Sequence, residues 1–239
     1  HIDATFNLSE IGYPVITCGF SDASRTYHLA AMFVVSRHTQ SEYSGVLSAL
    51  LQVYAKLFSV QPRIDAVLGD AEKAQYNALR GIIQFQDATF FMFFFHVLYH
   101  VRKRTRQLDN FAGAMVYRCI ISMHYARSLL EYYRIRDSIL AQWRNVFVLR
   151  SFADYFEKQW LNSEYWRWNS FHTPIGYAAT NNPCETVNAS VKRHVMRKMF
   201  DTSRLLRKLT VRSGNDCGRA SSGRGLTALS LRVIADRGL

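Results

Sequence analysis

Three carboxylates stand out by their positions, Asp3, Asp70 and Glu185, separated by 67 and 115 residues. The chain has only 18 acidic residues against 30 basic ones. The third carboxylate falls in TNNPCETVNASVKRH, Thr180 to His194, two positions after Pro183 and at the head of a basic segment. At helical spacings of three and four, Glu185, Asn188 and Lys192 share one face, and Val187, Val191 and Val195 share another. A carboxylate beside an amide and a cation, with Arg193, Arg197 and Lys198 close by, suggests metal-dependent phosphate chemistry, provided other carboxylates join it. Such sites hold two divalent ions about 4 Å apart by hard oxygen ligands, one ion activating the attacking oxygen and the other stabilising the leaving oxygen. Each residue also has a plainer reading. Asn182, Pro183 and Glu185 read as an N-cap, a first helical position and a capping-box partner. Asp70 has the position of an N-cap, and Asp3 that of an exposed strand residue.

The elements that must position these groups follow from the pattern. HIDATFNL, residues 1–8, alternates Ile2, Ala4 and Phe6 with Asp3, Thr5 and Asn7, which predicts a strand. Turns around Gly12-Tyr13-Pro14 and over 21–25 lead to further strands, 15–20 and 27–36, so the three make an antiparallel meander. Tyr43, Val46, Leu47, Leu50, Val53, Tyr54 and Leu57 then recur at three and four, the mark of an amphipathic helix. A short strand, 64–68, passes through Gly69-Asp70 into a helix over 71–83. Residues 88–94 predict a strand running into a helix with His96, Tyr99 and Arg102-Lys103-Arg104. From Asp109 to Tyr165 there is no Pro and one Gly, which predicts an almost wholly helical block. The Glu185 helix comes last, and SGNDCGRASSGRG, from Ser213, reads as a flexible tail.

Composition bounds the partners. The chain has 239 residues, of which 49% are hydrophobic and 14% aromatic, ample for a packed core. Its formal charge of +12 is concentrated: residues 100–150 carry ten cations against three anions, a net of +7, and 186–239 carry twelve against three, a net of +9. Residues 1–99 and 151–185 each come to −2. Two basic blocks around a mildly acidic part favour a polyanion such as nucleic acid over a merely solvated basic surface. Cys18, Cys119, Cys184 and Cys217 lie far apart without a C-x-x-C pair, which predicts free thiols in a reducing compartment. No signal peptide is visible, and the longest apolar run, 88–101, is interrupted by His96 and His100 and too short to span a bilayer, so no membrane is expected. Because the first residue is His, the sequence reads as a fragment of a longer chain.

Three antiparallel strands, a helix and a further strand are how a ribonuclease H-like α/β fold begins, with carboxylates on the first strand, at the end of the fourth and on a late helix. HIDATF, VLGDAEKA, FFFHVLYHVRKR and FHTPIGYAATNNPCETVNASVKR resemble, in this order, the motifs of Mutator-like element (MULE) transposase domains, over residues 1–210. The most specific stretch is Thr180-Asn181-Asn182 followed by Glu185, Asn188 and Lys192. The resemblance implies a ribonuclease H-like mixed sheet with a large helical insertion before the last helix. It divides the chain into a core, 1–108, an insertion, 109–179, a core-completing helical segment, 180–212, and the tail, 213–239. It also implies Asp3, Asp70 and Glu185 as the catalytic, metal-binding set with two Mg²⁺ or Mn²⁺ ions, double-stranded DNA at transposon ends and target as partner, and a nuclear location.

Expected activity is metal-dependent cleavage of DNA at transposon ends and joining to target DNA. The alternatives are a domesticated, inactive relative that binds DNA as a regulator, and a nuclease of the same fold without strand transfer. Arg102, Lys103, Arg104, Arg106, Asn188, Lys192, Arg193, Arg197 and Lys198 are expected to contact nucleic acid. The family's Cys-x-x-His element is halved here, with Phe93 in the cysteine position. His96 with His100 reads as a pair packed or solvated on a helix. Of the aromatic cluster Trp160, Tyr165, Trp166, Trp168 and Phe171, most is expected in the core, with Trp168 and Phe171 turned to the site. The roles of His96, Asn181 and Asn182 and a homo-oligomeric state stay open.

Overall fold

The computed structural model describes residues 1–21, 27–173, 182–194, 199–207, 209 and 232–234; side chains are described for these except 182–185, 187, 194 and 232–234. The fold is mixed α/β and divides into two compact units. One holds residues 1–67, 72–88 and the chain from 182 on; the other holds 68–71 and 89–181.

In the first unit, β1 (Ile2–Thr5), β2 (Val15–Ser21) and β3 (Tyr27–Val35) form the expected antiparallel meander. Asp3 sits opposite Thr17, and Val15 opposite Val34. β1 stops short of the predicted strand because Asn7 turns to a φ of 64°. A bulge between Cys18 and Gly19 shifts the register of β2, and a Cβ on Gly19 would collide with the Tyr27 ring and the His28 carbonyl. Only glycine lets the strands close there. Within the tail expected to be flexible, β6 (Arg232–Ile234) adds parallel to β3.

Helix α1 (Gln40–Phe58) buries Tyr43, Val46, Leu47, Ala49 and Leu51 and ends at Ser59, which takes a left-handed φ of 56° and donates its N–H to Ala55. Helix α2 (Lys73–Arg80) starts later than expected. Its N-cap is Glu72 rather than Asp70, and the Glu72 carboxylate, instead of capping, accepts from the Tyr43 hydroxyl at 2.9 Å and meets His38 Nδ1 at 2.7 Å. Helix α7 (Asn182–His194) bears Glu185. Its Val191 is fully buried with Leu8, Val15, Met32, Val34, Phe200, Leu205 and Leu209, so the helix is seated on β2 and β3 by apolar contact.

In the second unit β4 (Ala66–Gly69), whose last residues enter it, pairs in parallel with β5 (Thr89–Met92) across the α2 crossover. This pair is a sheet of its own, where a single sheet shared with β1 was expected. Then come α3 (Phe94–Arg104), the helix foreseen after that strand, and α4 (Asn110–His124), α5 (Leu129–Asn145) and α6 (Arg150–Phe156), the helical block foreseen from the lack of Pro. Its starts are locally encoded. Asp109 caps α4 by accepting from Phe111 and Ala112 N–H, and Ser128 caps α5 by accepting from Glu131 N–H. One π turn, Glu157–Leu161, interrupts the regular spacing and frees the Trp160 carbonyl to accept from Trp168 Nε1 at 2.9 Å. Trp143, Trp160 and Trp168 are all buried, and Trp143 meets Phe152 and Phe156 edge-on. No described helix is long and apolar enough to cross a membrane.

Candidate active site

Asp3 lies on β1 and is partly buried. Its Oδ1 accepts from the Ala4 N–H at 2.8 Å, and its Oδ2 accepts from Asn188 Nδ2 of α7. Asn188 is itself buried, and its Oδ1 accepts from the Thr17 hydroxyl at 3.2 Å. Thr17 is fully buried directly across the ladder from Asp3. From α2, the buried Gln75 donates to the Ile2 carbonyl at 3.3 Å. The strand that carries Asp3 is therefore held by polar side chains from two helices, and Asp3 is not the plain exposed strand residue of the simpler reading. Asn188, expected on a nucleic-acid track, is turned inward instead, because its amide satisfies the carboxylate and the threonine hydroxyl at once.

Asp70 follows β4 in the second unit. Its Oδ1 lies 2.7 Å from His96 Nε2, and both side chains are about a quarter exposed. His96, whose ring also meets those of Phe93 and Phe95, is thus the partner of the second candidate carboxylate. Phe93, in the position of the family's cysteine, is buried and donates its N–H to the Gly69 carbonyl at 3.3 Å. It belongs to the core, where an aromatic ring adds apolar area that a thiol lacks. His100, one turn beyond His96, packs on Trp160 with ring centroids 5.6 Å apart. Burial, helped by Lys103 and His96, holds its imidazole below the ordinary histidine range, with the Asp70 carboxylate working the other way.

Glu185 stands on α7 three residues before Asn188, so the helix that supplies Asn188 to Asp3 also carries the third candidate. Its side chain, like those of Asn181 and Asn182, lies outside the described ones, as do Arg197 and Lys198. Among the described side chains, which do not include that of Glu185, no three His, Cys, Asp or Glu group as a metal site. Asp3 and Asp70 do have the donor chemistry a divalent ion takes, hard carboxylate oxygens with hydrogen-bond partners that orient them.

Of the basic residues, Arg102, Lys103, Arg104 and Arg106 are all exposed at the end of α3. Lys103 lies over the Tyr99 ring at 4.3 Å and Arg104 over Tyr155 at 4.5 Å, so their stems are braced while their charges face water. Cations in a last turn also complement the helix dipole, a purely structural benefit. Arg193 is exposed and Lys192 partly so. Trp168, expected to face the site, is buried against the π turn, while Phe171 is partly exposed beside Tyr132. Thr17 and Gln75 carry no signal in the sequence, since each meets its partner across at least 73 residues. Compared with protein-family models and with curated proteins, the chain matches none.

Proposed function

We propose that this chain is the catalytic domain of a DNA transposase of the Mutator-like type, built on a ribonuclease H-like core. It would cut a DNA phosphodiester at an element's end and join the freed 3′ end to target DNA, in the nucleus. The observation that carries this proposal is the hydrogen bond from Asn188 to Asp3, which ties the Glu185 helix to the strand of the first carboxylate. Transposase chemistry needs that pairing, because a carboxylate on an early strand and another on a late helix must serve one phosphate.

The residues then divide the work. Asp3, Asp70 and Glu185 hold Mg²⁺ or Mn²⁺, and when bound these ions supply positive charge at the attacked phosphate and a readily ionised water. Asn188 and the Ala4 N–H keep the Asp3 carboxylate oriented without cancelling its charge, since both donors are neutral. His96 performs the holding role for Asp70. Arg102, Lys103, Arg104 and Arg106, with Lys192 and Arg193, meet the phosphates of double-stranded DNA.

The alternative is a catalytically silent relative that binds DNA as a regulator. Phe93 in place of the family's cysteine, with His96 already engaged by Asp70, favours it. Incubating the protein with labelled duplex ends, a target plasmid and Mg²⁺ or Mn²⁺ separates the two. Cut and joined products that vanish in Asp3→Asn support the transposase; cutting without joining points to a nuclease, and binding alone to the regulator.

A further inference from the structure

We propose that Thr17 and Asn188 are positioning residues, a buried relay that sets the orientation of the Asp3 carboxylate for its cation; this rests on Asp3 being a cation ligand. The middle of a buried strand is a place for valine, and Thr17 is 0% exposed there, between Ile16 and Cys18. A hydroxyl costs free energy in such a place unless it is bonded, and its bond goes to the Asn188 amide oxygen at 3.2 Å, with the Asp3 main-chain carbonyl also within reach at 3.3 Å.

That contact determines which way the amide faces. With Oδ1 held by the only proton Thr17 can give, Nδ2 is the end left to donate to Asp3 Oδ2. The flipped amide would set its oxygen against a carboxylate oxygen, two acceptors face to face, and would leave the threonine proton without that acceptor. Val191, one turn on from Asn188 and fully buried in the apolar cluster, fixes the height of α7 over the sheet, so the amide arrives in register. Each Asp3 oxygen thereby receives a neutral donor, Ala4 N–H on one and Asn188 on the other. Groups that orient a metal-binding carboxylate in this way typically change metal affinity by about 10–100-fold when removed.

The test is a Mn²⁺ titration of the 239-residue chain by calorimetry, comparing Thr17→Val, Thr17→Ser, Asn188→Ala and Asp3→Asn with the parent. It is paired with the side-chain amide NMR signal of Asn188 in the metal-free protein. Thr17→Val and Asn188→Ala should weaken Mn²⁺ binding by roughly tenfold or more, and Thr17→Ser should restore it. The Asn188 signal should move in both Thr17→Val and Asp3→Asn while the circular-dichroism spectrum stays that of the parent. Should Thr17→Val fail to fold, Asn188→Ala carries the test, because truncating a side chain introduces no clash. Parent affinity in Thr17→Val and Asn188→Ala, with binding lost in Asp3→Asn, would overturn the relay and leave Asp3 as a ligand. Parent affinity in Asp3→Asn would remove both.

Discussion

The two units hold an aspartate each in the candidate set, and they hold them differently. In the sheet unit, Asp3 is met by a main-chain N–H and a side-chain amide, donors whose charge is zero at every pH. In the helical unit, Asp70 is met by an imidazole at 2.7 Å, a donor that can carry a proton. The surroundings differ in the same sense. Buried polar groups organise the ground around Asp3, with Thr17, Gln75 and Asn188 all under 10% exposed, whereas the helical unit is packed with tryptophan, phenylalanine and histidine rings. A neutral cradle preserves an anion for a cation to find, and an aromatic core mainly supplies rigidity. One aspartate is thus held by a polar network across strands, and the other is met by an imidazole from an adjoining helix.

The largest effect expected is on catalysis. Asp3→Asn and Asp70→Asn should each cut DNA cleavage to below about a thousandth of the parent rate in Mg²⁺, since both carboxylates would act on one phosphate. Duplex binding should stay near the parent's or rise, because a negative charge beside phosphate is gone. Cleavage that survives in Asp70→Asn alone would break the equivalence of the two sites. Next in size is packing. Trp143→Ala should cost the helical unit about 3–5 kcal/mol, read as lost amide protection in α4 to α6; a loss under about 1 kcal/mol would mean that the rings are not its core.

A smaller effect distinguishes the units by pH. Burial, with Arg167 nearby, pushes the His172 imidazole down to about 4, and burial also lowers His124, whose Nδ1 bonds the Trp168 carbonyl. Both accept a proton less readily folded than unfolded. Their contribution to stability is therefore complete above the ordinary value of 6.5 and is lost as pH falls toward about 4, where the His172 loss levels off. His172→Phe should flatten that part of the stability curve; an unchanged slope between these limits would exclude His172 as its source. The smallest effect is on DNA affinity. Replacing Lys192 and Arg193 by Ala should reduce the slope of log affinity against log salt by about 0.9 per cation, and an unaltered slope would make that face a solvated surface.

The sequence was most readable where structure is local. Alternation in the first residues and three-to-four spacing in α1 both depend on near neighbours, and each element is present. It was least readable where a distant group decides. Asp70 looks like the N-cap of α2, yet the helix begins after Glu72, whose carboxylate is taken by Tyr43 and His38 from far earlier in the chain. Trp168 looked free to face a site because no periodicity announces the π turn whose carbonyl captures its indole. Asn188 was legible as part of a motif but not as to direction. Its inward turn depends on Thr17, 171 residues away, and no pattern in the segment encodes that partner.

The most direct test of the central claim is iron-directed cleavage of the protein itself. Fe²⁺ replacing Mg²⁺, with ascorbate and peroxide, makes hydroxyl radicals that cut the backbone beside the bound ion. If Asp3, Asp70 and Glu185 hold the same ions, three sets of fragments should appear, ending near residues 3, 70 and 185. All three should fade together as Mg²⁺ is added and be absent in Asp3→Asn. Cuts near Asp70 and His96 that persist unchanged in Asp3→Asn, with none near Glu185, would contradict a shared catalytic centre.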